Sequence, residues 1–186
     1  HIFTCNTNNS VGDSGQTHYQ TLYNTKNTQS DDREARDMVA KNVDEYLTRL
    51  PKITINVMAT FNALSVFTYG DLIDKIFDMK RKHQNDERYW ISAIQLDTSY
   101  LRWPTHLSVR ILEDEHKELI LESAKKALYY GIKEFKHDNY GFSNVEIQKI
   151  KRIYDYAVGK SIMFDVEKHR QDFIKFVDEY DERRGT

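Results

Sequence analysis

The chain has 186 residues, 39% of them hydrophobic and 30% charged, which is enough for one domain with a sizeable core and short for two. A formal net charge of −2 gives no electrostatic basis for a nucleic-acid footprint. No apolar run reaches the roughly 18 residues that a membrane span needs, so a cytoplasmic chain without a membrane partner is the expectation.

Residues 1–30 are rich in Asn, Thr, Ser and Gln, side chains that compete for backbone hydrogen bonds and favour turns and loops. Brief strands are expected at Ile2–Cys5 and near Tyr19–Tyr23 within this polar segment. His1, Cys5 and His18 match no recognised metal-ligand spacing and read as loop residues. Cys5 is the single cysteine, which excludes an internal disulfide and any multi-cysteine metal site made by this chain alone.

Asp31 and Asp32 place negative charge where a helix N-terminus favours it, and Met38, Val39, Val43, Tyr46, Leu47 and Leu50 recur at helical spacing up to Pro51. The run KITINVMATFNALS (Lys52–Ser65) then alternates with period two. Ile53, Ile55 and Val57 fall on one face of a strand, and Thr54, Asn56 and Met58 on the other. Thr68 to Asp71 resembles a capping box with Asp in the Glu position, opening a helix through Leu72, Ile73, Ile76, Phe77 and Met79. The charged stretch Lys80–Glu87 reads as its exit loop.

A second strand lies within YWISAIQLDTSYLRW (Tyr89–Trp103), with Ile94 and Leu96 on the face of Trp90, and Gln95 and Asp97 on that of Ile91 and Ala93. The order helix, strand, helix, strand implies a parallel βαβ unit. Leu101–His106, with Pro104, is a loop, and Glu113–Lys136 reads as a long helix weakened at Gly131. Ser143-Asn144-Val145-Glu146 is an S-x-x-E capping box for a helix ending at Gly159, and Asp165 caps a last helix through Val166, Phe173, Ile174, Phe176, Val177 and Tyr180.

The sequence has no G-x-G-x-x-G, Walker A, G-x-S-x-G or H-E-x-x-H signature. Polar groups do gather at the C-terminal strand ends, where parallel α/β folds build sites: Thr60, Asn62 and Ser65 on one strand, and Asp97, Thr98 and Ser99 beside Arg102 on the other. Ordinary turn chemistry accounts for the same residues. Glu113 to His116 reads as helix capping, and Tyr129, Tyr130, Phe135, Tyr140 and Phe142 as core and interhelix packing.

The blocks INVMATFNALSV (Ile55–Val66), IQLDTSYLRWPTHLSVRIL (Ile94–Leu112) and DFIKFVDEYDERRGT (Asp172–Thr186) together resemble the C-terminal half of radical S-adenosylmethionine enzymes. The likeness is to a subgroup found in bacteriophage genomes, with a twitch-like C-terminal region. It implies an α/β fold, part of a parallel (β/α) partial barrel, with βα units over residues 31–112 and a helical C-terminal region over 113–186. It further implies that Asn56, Thr60, Asn62, Gln95 and Asp97 line or border a pocket for S-adenosylmethionine. The family's [4Fe–4S] cluster needs a C-x-x-x-C-x-x-C loop, and a chain with Cys5 alone departs from that requirement. Two functions follow as expectations: a fragment or remnant of such an enzyme that contributes pocket wall, or a non-catalytic phage-encoded scaffold built on half a barrel. A homo-oligomer or a protein partner covering exposed strand edges goes with the second.

Overall fold

The computed structural model describes residues 2–6, 19–21, 40–50, 53–84, 92–131, 140–159 and 163–184. A four-stranded sheet has the order β2-β1-β3-β4, with β1 at Ile2–Asn6, β2 at Tyr19–Thr21, β3 at Thr54–Phe61 and β4 at Ile94–Tyr100. Residues 40–49 form helix α1. Helix α2 spans Tyr69–Lys82, α3 Asp114–Tyr129, α4 Asn144–Val158 and α5 Val166–Arg184.

The period-two reading of β3 and β4 matches their burial. Ile55, Val57, Ala59 and Phe61 on β3, and Ile94 and Leu96 on β4, are buried in one cluster. The parallel register pairs Ile55 with Ile94 and Val57 with Leu96, so the two apolar rows coincide on one face. That face packs with Ile73 and Ile76 of α2, Ile120, Ala124 and Ala127 of α3, and Ile147, Ile150 and Ile153 of α4. Val43 and Leu47 of α1 join the same cluster. Each valine, leucine, isoleucine or phenylalanine among them contributes about 1.5–3 kcal/mol on leaving water. The Phe61 and Tyr69 rings meet edge to face at 4.7 Å where β3 leads through a short turn into α2.

The expected partial parallel barrel is not the architecture found. Among the described residues β3 and β4 form the parallel pair, whereas β1 runs antiparallel to both β3 and β2. The physical reason lies in the connections. A parallel pair needs a crossover such as the α2 segment between β3 and β4, whereas antiparallel neighbours such as β1 with β2 and β1 with β3 have no such requirement. The structure is therefore a mixed sheet with a helical layer on the inner face of β3 and β4.

Local expectations divide. The Ser143 capping box is complete, since Ser143 Oγ accepts from Glu146 N and the Glu146 carboxylate accepts from Ser143 N. Asp165 Oδ1 accepts from Lys168 N at 3.1 Å at the start of α5. Thr68 sits at the α2 N-cap but its side chain makes no capping bond. Helix α3 stops at Tyr129 instead of running to Lys136: Gly131 bridges to Phe142, and a Cβ there would come within 2.9 Å of Leu128 O. The remainder of that expected helix, with Phe135, lies outside the described residues, as do 31–39 of the first expected helix and His1 and His18. Of the aromatic group, Phe142 is buried and Tyr130 stacks on Phe77 at 4.0 Å, while Tyr129 is exposed.

Candidate functional site

The alternation that buries one face of β3 and β4 turns their polar side chains to the other. Register pairs Asn56 with Gln95, Met58 with Asp97 and Thr60 with Ser99, so these six residues share a face. Met58, Thr60, Gln95 and Ser99 are exposed, and Asn56 and Asp97 are half-buried. The structure thus brings together four of the five residues expected to border a pocket: Asn56, Thr60, Gln95 and Asp97.

Asn62, the fifth, has another task. Its Oδ1 accepts from Leu64 N at 2.9 Å and from Ser65 Oγ at 3.3 Å, capping the short 3-10 turn Ala63–Ser65 that follows β3. Ala93, expected on the Gln95 face, is fully buried just before β4 begins, and Ile91 lies outside the described residues.

At the C-terminal end of this face the hydroxyls of Thr60 and Ser99 lie 3.3 Å apart. One residue row back, Asp97 Oδ1 accepts from Lys149 Nζ at 2.7 Å, a bond that reaches from β4 to α4. Beyond Ser99 the chain stacks Tyr100 on Tyr156 with ring centres 4.4 Å apart. Arg102 lies over both rings and donates to Tyr100 Oη at 2.9 Å, which raises its pKa above the ordinary arginine value. Between these elements lies an open depression of about 350 Å³, lined by Thr98, Ser99, Tyr100, Arg102, Lys149 and Arg152.

Sequence reasoning named Ser99 and Arg102 but missed Lys149 and Arg152, which lie about fifty residues downstream. The available signal was their i, i+3 spacing beside the buried stripe of Ile147, Ile150 and Ile153, which puts both cations on one flank of α4.

A buried ion pair fixes where that flank sits. Lys80 Nζ donates to Glu146 Oε1 at 2.8 Å with the lysine fully buried, and Lys80–Lys82, the start of the expected charged exit loop, form the last turn of α2, while residues 85–87 lie outside the described residues. Glu146 Oε1 also accepts from Leu96 N, the backbone of β4, at 2.8 Å. One carboxylate thereby caps α4, compensates the Lys80 charge on α2 and occupies the Leu96 N–H donor on the β4 edge. Burial pushes the Lys80 ammonium below its ordinary value, and the Glu146 charge opposes that shift. Burial likewise pushes the Tyr69 phenol up, keeping it neutral against Thr98, whose hydroxyl is 2.8 Å away.

The open face offers hydrogen-bonding groups, a thioether and cations, a set suited to holding a polar ligand. The residues do not fit an iron–sulfur cluster: the chain has one cysteine, and among the described residues no group of three or more His, Cys, Asp and Glu side chains converges as a metal site. Among the described residues no helix is long and apolar enough to cross a membrane. No protein-family model matches the chain, and no match is found among curated proteins or solved structures.

Proposed function

We propose that the open polar face of β3 and β4 is one wall of the S-adenosylmethionine and substrate pocket of a radical S-adenosylmethionine enzyme, whose cluster-binding cysteines are supplied from outside these residues. The observation that carries this reading is the register, which sets Asn56 against Gln95 and Thr60 against Ser99 on the face opposite the buried apolar rows. Gln95 offers an exposed amide suited to a purine edge, Thr60 and Ser99 offer hydroxyls, and Met58 offers apolar contact. Asn62 shapes the exit of β3 and is not assigned a ligand contact.

The test is anaerobic iron and sulfide reconstitution of the protein from the complete native reading frame, followed by reduction and assay of S-adenosylmethionine cleavage. A cluster with cleavage is expected, with Gln95→Ala raising the S-adenosylmethionine concentration needed. Absence of both cluster and cleavage overturns the reading.

Helix α5 favours a second reading, a non-catalytic interaction module. None of its described residues is buried, although it carries Ile174 at 58% exposure and Tyr180 at 43%. A captured protein partner or a stable self-assembly, seen by light scattering, supports that reading. A monodisperse monomer that retains no partner weakens it.

A further inference from the structure

We infer that the depression at the end of β4 binds a phosphate-bearing small molecule through Arg102, Lys149 and Arg152. This does not rest on the S-adenosylmethionine reading, because the three cations that carry it take no part in that reading.

Charge is the first argument. Three cations line the depression, and the carboxylate joined to them is Asp97, bound to Lys149. An excess of two positive charges is left on a chain whose net charge is −2. Among the described residues neither Arg102 nor Arg152 makes an ion pair, and Lys149 makes the one to Asp97.

Preorganisation is the second. The Arg102 guanidinium lies 5.1 Å from the Tyr100 ring centre and 5.7 Å from that of Tyr156, and the Tyr100 hydroxyl accepts one of its bonds at 2.9 Å. The rings hold the plane of the fork, and most of its five N–H donors remain for a ligand. Lys149 is held by Asp97, and Arg152 follows one turn later on the same helix. Ser99 adds a hydroxyl to the same lining.

Ligand chemistry follows from this donor set. Two guanidiniums and an ammonium around a space of about 350 Å³ match the charge of a phosphate monoester and its several acceptor oxygens, where a single carboxylate would leave cations uncompensated. The stacked tyrosines at the rim offer a flat surface to an organic group attached to that phosphate.

The experiment titrates the chain with inorganic phosphate, then with phenyl phosphate, at fixed ionic strength, following backbone amide resonances by NMR. Saturable shifts confined to residues 98–102 and the Lys149–Arg152 flank are expected with either probe. Tighter binding of phenyl phosphate identifies an organic monoester as the ligand, and equal binding identifies the free anion. Arg152→Gln replaces an exposed side chain that makes no hydrogen bond or ion pair among the described residues, and should weaken binding about tenfold with the rest of the spectrum unchanged. Arg102→Gln should do the same while moving the Tyr100 and Tyr156 ring resonances. Shifts that never saturate, that spread over surface lysines generally, or that survive Arg152→Gln unchanged overturn the assignment.

Discussion

Helix α4 sends two charged side chains, three residues apart, into ion pairs that meet opposite circumstances. Glu146 meets Lys80 with both side chains nearly or wholly out of solvent, and Leu96 N and Ser143 donate to the remaining acceptor sites of the carboxylate. Lys149 meets Asp97 with each side chain about one third exposed, at the margin of an open depression. The first pair is saturated with internal partners and joins α2, β4 and α4. The second keeps access to water. The same chemistry on one helix thus serves position at one point and availability at the other, and burial decides between them.

Breaking the buried pair should have the larger effect. Lys80→Met removes the charge that compensates Glu146 and leaves a carboxylate in a site with little water, a change expected to cost about 3–5 kcal/mol in urea denaturation. Lys80→Met combined with Glu146→Gln removes the stranded charge and should recover part of that loss, because a glutamine oxygen still accepts from Leu96 N. A loss below about 1 kcal/mol for Lys80→Met would mean that the pair does not organise the three elements.

The open pair should behave in reverse. Asp97→Asn is expected to change stability by no more than about 1 kcal/mol, and less in high salt, because exposed pairs contribute little. Its effect should fall on binding. Releasing Lys149 from its carboxylate raises the positive excess around the depression, so the phosphate affinity inferred above should rise. An equal fall in stability from Asp97→Asn and Lys80→Met would erase the distinction between the pairs.

This contrast also marks where sequence reasoning reaches its limit. Period-two alternation identified the buried row Ile55–Val57 and the polar row of Asn56, and the S-x-x-E spacing identified the cap of α4, because each signal is local. Lys80 read as part of a charged exit loop. Its true partner lies 66 residues away, and only the docking of α4 against α2 discloses it. Lys149 and Arg152 escaped the site for the same reason, since a basic pair on a helix flank resembles any solvated face until β4 is laid beside it. The direction of β1 was equally hidden, because an IFTCN strand carries no mark of whether its neighbour will run parallel. The likeness to a barrel enzyme supplied a direction that the mixed sheet does not follow.

The mildest test concerns a third acidic contact, between α1 and the end of α2. Hydrogen bonds from Lys82 and then from His83 hold the Asp44 carboxyl below its usual value of 3.8, with burial acting weakly against them. A carboxyl whose pKa is lower folded than unfolded binds fewer protons in the native state, so its contribution is present above the unfolded value. It is lost as the pH falls through the folded value, which places the change below about pH 4. Asp44→Asn should therefore lower the urea midpoint at neutral pH, with the gap to the parent chain closing on acidification. Because Asp44 is about one third exposed, that gap should be smaller than the one produced at Lys80. A gap that stayed constant down to strongly acidic pH would show that Asp44 acts through packing, and would leave the buried Lys80–Glu146 pair as the contact in which ionisation itself sets the helix positions.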